Sequence, residues 1–372
     1  MSLYIGLMSG TSLDGIDVAI VDIDNDHFHV VAAATYPFDK NLRRDLLKLI
    51  TSQQTHLHLL GLTDMALGYS YAQAVQQLLT DSHIAASDIQ AIGCHGQTIF
   101  HAPDALYPFS MQIGNANVIA ETTGITTIHD FRQRDMVLGG QGAPLVPAFH
   151  QALFQQRQRN RIILNIGGIS NITILPADPT LAVSGFDTGP GNTLLDQWYQ
   201  QHHQDLYDEN GQWANGGTPD LELLQLLLAD PFFYQDVPKS TGREYFNIAW
   251  LNNLLYQLDK PIRAQDVQKT LLLVTATSIS DAIQRYAAQT DEVYLCGGGA
   301  HNQALIEALA ERLPSIQLAT TDTLGLAPDW VEACAFAWLA SRTLAHQTGN
   351  LPAVTGAKKA TILGSIYYSH KA

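Results

Sequence analysis

Two hydrophobic rhythms alternate along the chain. Short β-branched apolar runs separated by polar glycine turns predict strands, and longer stretches where Leu, Ala and aromatics recur every three or four residues predict helices. The run at 3–8 leads into Ser9-Gly-Thr-Ser-Leu-Asp-Gly15 and then into a second run at 17–24, which reads as strand, turn, strand. Helical spacing follows at 41–52 and 58–82, and a buried strand at 89–94 delivers the polar loop His95-Gly-Gln-Thr98. Residues 111–147, dense in Gly, Asn, Thr and Asp, predict loops and short strands. A second strand-turn-strand unit spans 161–175, with a Gly/Ser/Asn turn like the first. A polar, Gly/Pro-marked insertion at 208–247 carries Lys239, Arg243 and Glu244. Helical patterns at 269–289, 302–313 and 330–346 surround a strand at 292–296 that feeds Gly297-Gly-Gly299. Strands alternating with helices predict an α/β protein, and two similar hairpins about 155 residues apart point to an internal duplication.

Composition narrows this picture. At 372 residues, 46% hydrophobic and 15% charged, the chain is long enough for two domains and apolar enough to fill their cores. Twenty Lys and Arg against 35 Asp and Glu give a net charge of −15, which argues against nucleic acid or an anionic membrane as partner. A polyphosphate bound by such a chain must be held by backbone N–H groups, hydroxyls and a metal ion rather than by lysines. Three scattered cysteines without C-x-x-C spacing suggest neither a disulfide framework nor a zinc cluster. With no signal-peptide pattern and no long apolar span, the expectation is a cytoplasmic protein.

Candidate chemistry sits in the turns. Gly10-Thr-Ser-Leu-Asp-Gly15 can converge successive N–H groups on an anion, with Thr11 and Ser12 as uncharged donors; the competing reading is an ordinary hairpin turn. The matching turn at Gly167, Gly168, Ser170 and Asn171 favours the anion reading, although neither turn is a Walker-type loop. Asp187 precedes Gly-Pro-Gly, and Asn192 is placed to cap the helix that follows. Asp187 is either a general base beside a bound phosphate or the acceptor of an Asx-turn. Gly297, Gly298 and Gly299 permit close approach to a flat ligand such as adenosine. Arg132 can offer its guanidinium fork to a carboxylate or sugar hydroxyls, or join a surface ion pair. Glu332, in an apolar helical stretch, is either a buried, partnered acid or the end of a solvated face. The 14 histidines show no metal-binding spacing.

Met8-Ser-Gly-Thr-Ser-Leu-Asp-Gly15, Gly93-Cys-His-Gly-Gln-Thr98, Gln112-Ile-Gly-Asn115, His129-Asp-Phe-Arg132, Asn165-Ile-Gly-Gly168, Gly185-Phe-Asp-Thr-Gly-Pro-Gly-Asn192 and Cys296-Gly-Gly-Gly-Ala-His-Asn302 occur in that order over essentially the whole chain. Together they closely resemble the anhydro-N-acetylmuramic acid kinase family. The resemblance implies an actin/Hsp70/hexokinase-like α/β fold with duplicated ribonuclease-H-like cores and a central ATP cleft. The expected domains are 1–130, with the tail 347–372 returning to it, and 131–346. It also implies ATP and Mg²⁺ as cofactors and a homodimer. The implied reaction joins 1,6-anhydro-N-acetylmuramate, water and ATP to give N-acetylmuramate 6-phosphate and ADP in cell-wall recycling. Asp187 matches the catalytic base, and Gly10, Thr11, Ser12, Leu13, Asp14, Gly15, Ile16 and Asp17 match the β/γ-phosphate loop. The metal ligands stay open, with Asp14, acting through water, the candidate. Gly297 to Gly299 match the adenosine side. Arg132, Asn115 and Glu332 are assigned to the sugar. The alternatives are a conventional amino-sugar kinase, a non-catalytic ATP-dependent clamp and a nicotinamide oxidoreductase.

Overall fold

Two mixed sheets with one shared strand order carry the chain. The computed structural model describes residues 2–10, 13–24, 27–52 and 54–370. In the first sheet β1 (Leu3–Met8), β2 (Ile16–Asp24) and β3 (His27–Tyr36) form an antiparallel meander, with Met8 facing Asp17 at its turn. β4 (Ile89–Cys94) lies parallel beside β1, and the hairpin of β5 (Gln97–Ala102) and β6 (Phe109–Ile113) leaves its end. β7 (Thr127–His129) runs parallel to β4, and the chain's last strand, Ser365–Tyr367, pairs antiparallel with β7. The second sheet repeats the plan: β8 (Arg161–Ile166), β9 (Ile169–Leu175) and β10 (Ser184–Pro190) form the meander, and β11 (Glu292–Cys296) and β12 (Gln317–Thr320) continue in parallel. Each sheet thus reads third, second, first, fourth, fifth, the duplicated ribonuclease-H-like core that the paired hairpins anticipate.

The chain accordingly divides into two compact units, residues 1–153 with 330–372 and residues 154–329. These limits differ from 1–130 and 131–346: residues 131–153 and 330–346 belong with the first sheet, as does the tail. The cause is a close approach. Gly6 on β1 and Gly93 on β4 are register partners, and the helix Val331–Leu344 rests on them. A Cβ on Gly6 would run into the Ala333 carbonyl oxygen, and one on Gly93 into that of Phe336. The fully buried Asp135 carboxylate adds a polar tie, accepting from the Gly142 amide at 2.9 Å, the Asn350 amide at 2.6 Å and the Thr355 hydroxyl at 2.8 Å.

Several elements depart from the sequence pattern. β3 escapes it because exposed and half-buried residues alternate along this edge strand, with His at alternate positions where polar residues face water. The segment expected as loops and short strands also contains α1 (Ala116–Thr123). The insertion at 208–247 forms the helix Leu221–Leu228 and an aromatic cluster of Phe232, Phe233, Tyr245 and Phe246 against Trp250. Asp230 organises that cluster: its carboxylate accepts from the Phe232 amide, the Tyr245 hydroxyl and the Trp250 indole at 2.8 to 2.9 Å.

Gly93→Val is expected to cost about 3 kcal/mol, the upper end for overpacking, because the group it meets is helix backbone. Gly61→Ala, at an exposed helical site where a Cβ meets nothing within 4 Å, is expected to be neutral or to gain up to about 1 kcal/mol. Urea melts of the two variants check both expectations.

Candidate active site

The first turn is built from inside out. Ser9, 1% exposed, spends its hydroxyl on the Tyr71 hydroxyl and on the Gln97 side-chain Oε1 at 2.8 Å, so it anchors the turn rather than facing a ligand. Leu13 adopts a left-handed φ of 55° with its side chain fully buried, while its amide donates to the Gly10 carbonyl at 3.1 Å. A non-glycine residue held at such a φ costs of order 1 kcal/mol, and here burial of the leucyl group offsets that strain. Arg43 holds the outside, its Nε donating to the Leu13 carbonyl at 3.0 Å. Gly15 lies where a Cβ would collide with Thr35, and the Asp17 carboxylate accepts the Thr35 hydroxyl at 2.7 Å. Leu13 and Ile16 are core residues that could offer a ligand only backbone. Asp14 is exposed, and Thr11 and Ser12 lie outside the described residues.

The second turn is used differently from the expectation. The Gly167 carbonyl accepts the Asn192 amide at 2.8 Å, and the Gly168 carbonyl accepts the Gly191 and Thr193 amides at 3.0 and 3.1 Å. These N–H groups at the start of the helix Asn192–His202 are thereby occupied, and a Cβ on Gly191 would strike the Gly167 oxygen. Gly191, not Asn192, is the cap residue; the Asn192 side chain donates instead to the Ile166 carbonyl at 3.2 Å. Ser170 is fully buried on β9 and bonds the Thr188 hydroxyl at 2.6 Å, so its side chain faces the interior. Asn171 is half-buried on β9, register partner of both Asn165 and Asp187. In the glycine run, Gly297 and Gly299 are dictated by β8: a Cβ on either would meet Asn165 or Ile166. Gly298 alone is exposed, with only Asn192 nearby at 3.7 Å.

Asp187 is a strand residue on β10, followed by an irregularity before Gly189, and not the acceptor of a local Asx-turn. A strap of residues 239–241 grips it from two sides. Its amide donates to the Lys239 carbonyl at 3.0 Å, and its Oδ2 accepts the Thr241 amide at 2.9 Å. Burial raises the carboxyl pKa to about 7, against the Thr241 hydrogen bond and the Lys239 charge, which pull it down, while Glu244 pushes it further up. A carboxyl poised near neutrality, with one oxygen held and the other uncommitted to that bond, is suited to accept a proton.

In the first unit, Arg132 follows β7 and is half-buried. It donates through Nε and Nη2 to His95 Nε2 at 3.1 and 2.8 Å, and through Nη1 to the Gly142 carbonyl at 2.8 Å. Because arginine can only donate, His95 accepts as a neutral ring, and burial beside Arg132 and His129 depresses its pKa well below the ordinary value. Burial lowers the Arg132 pKa to about 10, opposed by Glu332 and Asp135. Glu332 is half-buried in the first turn of its helix, and its pKa is raised by burial and by Asp17, with Arg132 acting the other way. Asn115 is not brought to this cluster by any bond of its side chain. It caps α1 through the Asn117 and Val118 amides and donates to Asp64 at 2.8 Å. Sequence reasoning missed the roles of His95, Arg43 and Lys239, although each lies in a segment it noted or beside one. Among the described residues, no helix is long and apolar enough to cross a membrane.

A family model described as anhydro-N-acetylmuramic acid kinase matches residues 2–369. A Coxiella burnetii protein of that name is 48% identical over 369 residues, covering 99% of this chain and 98% of its own. Namesakes from Aliivibrio fischeri and Pasteurella multocida are each 50% identical, covering 99% of this chain and 99% and 97% of theirs. With the duplicated cores, the half-buried Asp187 and this full-length similarity in place, the chain belongs to the anhydro-N-acetylmuramic acid kinase family.

Proposed function

We propose that the chain is an ATP-dependent kinase that opens 1,6-anhydro-N-acetylmuramate with water and phosphorylates the oxygen released. The observation that carries this reading is Asp187, a carboxylate held by backbone and poised near neutral pH. Water adds to C1 and gives its proton to Asp187 as the C1–O6 bond breaks. O6 then takes the γ-phosphoryl group, the bond to the β-phosphate oxygen breaks, and ADP leaves. A base matched to the operating pH contributes on the order of 10²–10⁴-fold, and the phosphoryl step rests on positioning and charge neutralisation.

The first turn is assigned to the β- and γ-phosphates through backbone N–H groups, held in shape by Ser9, Leu13 and Arg43. Gly298, the exposed member of its run, is assigned to the adenosine side. Among the described residues no group of three or more His, Cys, Asp or Glu side chains could cage a metal ion. That donor set fits Mg²⁺ carried by phosphate oxygens and water, which needs one or two protein carboxylates at most, and exposed Asp14 is the residue assigned to it. The bound ion would neutralise phosphate charge that the chain's few cations cannot.

Arg132 is assigned to the lactyl carboxylate of the sugar. His95 and Gly142 take three of its five N–H groups, and the remaining one on each terminal nitrogen forms a fork suited to a carboxylate. Glu332, next in that field, is assigned to sugar hydroxyls.

Asp187→Asn is expected to retain ATP binding by calorimetry and to lose on the order of 10²–10⁴-fold in turnover; near-normal turnover contradicts the base. Since the ionised form accepts the proton and its pKa is about 7, kcat/KM for the sugar should fall about tenfold per pH unit below that value. A coupled ADP assay should lose its signal in excess EDTA and regain it on adding Mg²⁺.

A further inference from the structure

Lys239 is 9% exposed, yet among the described residues its ammonium makes no ion pair. Nζ instead donates to the Phe232 and Phe233 carbonyls at 2.9 and 3.2 Å and lies 4.5 Å from the Phe232 ring centroid. Burying a lysine is costly, and two carbonyls with an aromatic face compensate it only in part, so a buried lysine anchored this way calls for a further reason. The reason lies two residues along. The Lys239 carbonyl receives the Asp187 amide, and the Thr241 amide reaches the Asp187 carboxylate, so the strap fixes both backbone and side chain of that residue.

The strap owes its position to the cluster beneath it. Asp230 fixes the turn Pro231–Tyr234 by accepting the Phe232 amide, and that turn presents the two carbonyls to Nζ. Tyr245 and Trp250 donate to the same carboxylate and close the far side.

We propose that Lys239 is the positioning residue of Asp187: its ammonium, seated on the Phe232 and Phe233 carbonyls, fixes the strap that orients the carboxylate. Lys239 touches no reacting atom in this scheme and acts only through Asp187. Burial lowers the Lys239 pKa, with Arg285 adding to it and Asp187 acting the other way, and Lys239 in turn pulls that of Asp187 down. The charged groups facing the Asp187 carboxyl are Lys239 and Glu244 of the insertion, with Arg285, from the helix Ala264–Tyr286, acting on Lys239. Removing the ammonium withdraws one of the two influences that hold the carboxyl down and loosens the other, the Thr241 bond. Both losses move the proton affinity of Asp187 upward.

The inference rests on Asp187 being the proton acceptor, and the test separates the two. In the full-length chain, Lys239→Met is expected to lose on the order of 10²-fold in kcat, the scale of a small misplacement, with little change in KM for the sugar. The acid limb of its kcat/KM profile should shift to higher pH, and Lys239→Arg should recover much of both. Phe232→Leu, which removes the ring under Nζ and keeps apolar packing, should shift the limb the same way by less. It supplies the reading if Lys239→Met does not fold. Wild-type kcat and limb in Lys239→Met, or a lowered rate with an unmoved limb in the variants that fold, overturn the proposal. If Asp187→Asn is inactive while the Lys239 limb stays put, only the positioning role fails. If Asp187→Asn turns over normally, the reading beneath it fails.

Discussion

A half-buried carboxylate, Asp187, gripped by backbone from two sides, is the constraint around which the second unit is arranged. Burial alone would neutralise Asp187 at neutral pH and leave it unable to accept a proton; full solvation would leave it too weak a base. The chain answers with opposed influences. Desolvation and Glu244 drive its pKa up, while the Thr241 amide and Lys239 restrain it near 7. Each restraint belongs to the insertion at 208–247, a stretch that in composition looks like a surface excursion and in the structure is a small aromatic core seated on a single acid, Asp230.

Duplication explains the framework without making the two halves equivalent. In both meanders a glycine turn joins the first two strands, but the turns are braced by different means. The first is locked by side chains, Ser9 against Tyr71 and Gln97 and Leu13 in a strained backbone conformation, with Arg43 on its carbonyl. The second is locked by backbone, its carbonyls taking the first N–H groups of the following helix. The Arg132 guanidinium is likewise held in place, by a neutral histidine and a carbonyl.

Much of this was legible in the chain. The two hairpins, the helices and the strand feeding Gly297 stand out because their apolar residues keep a clear period, whereas a carboxylate ahead of Gly-Pro-Gly reads equally as a base or as an Asx-turn acceptor. What stayed hidden depends on contacts distant in sequence. Glycines at 297 and 299 read as room for a ligand but serve the packing of β8, and Ser170 reads as a phosphate donor but points into the sheet. Asn115 reads as a polar contact and proves to be a helix cap. The unit boundary failed because nothing local announces that Gly6 and Gly93 create a seat for a helix more than 200 residues away. Lys239 drew notice only as one charge in a polar stretch, since its partners are carbonyls, which leave no trace in side-chain chemistry.

In the proposed reaction ring opening and phosphoryl transfer are one coupled event, with water rather than a sugar hydroxyl giving up its proton to Asp187. Turnover in H₂¹⁸O followed by mass spectrometry of the sugar product examines that requirement directly. One ¹⁸O on the sugar for each ADP formed, placed at C1 with the phosphate on O6, is the predicted result. A phosphorylated sugar without label at C1 would contradict it and leave the chain a conventional sugar kinase.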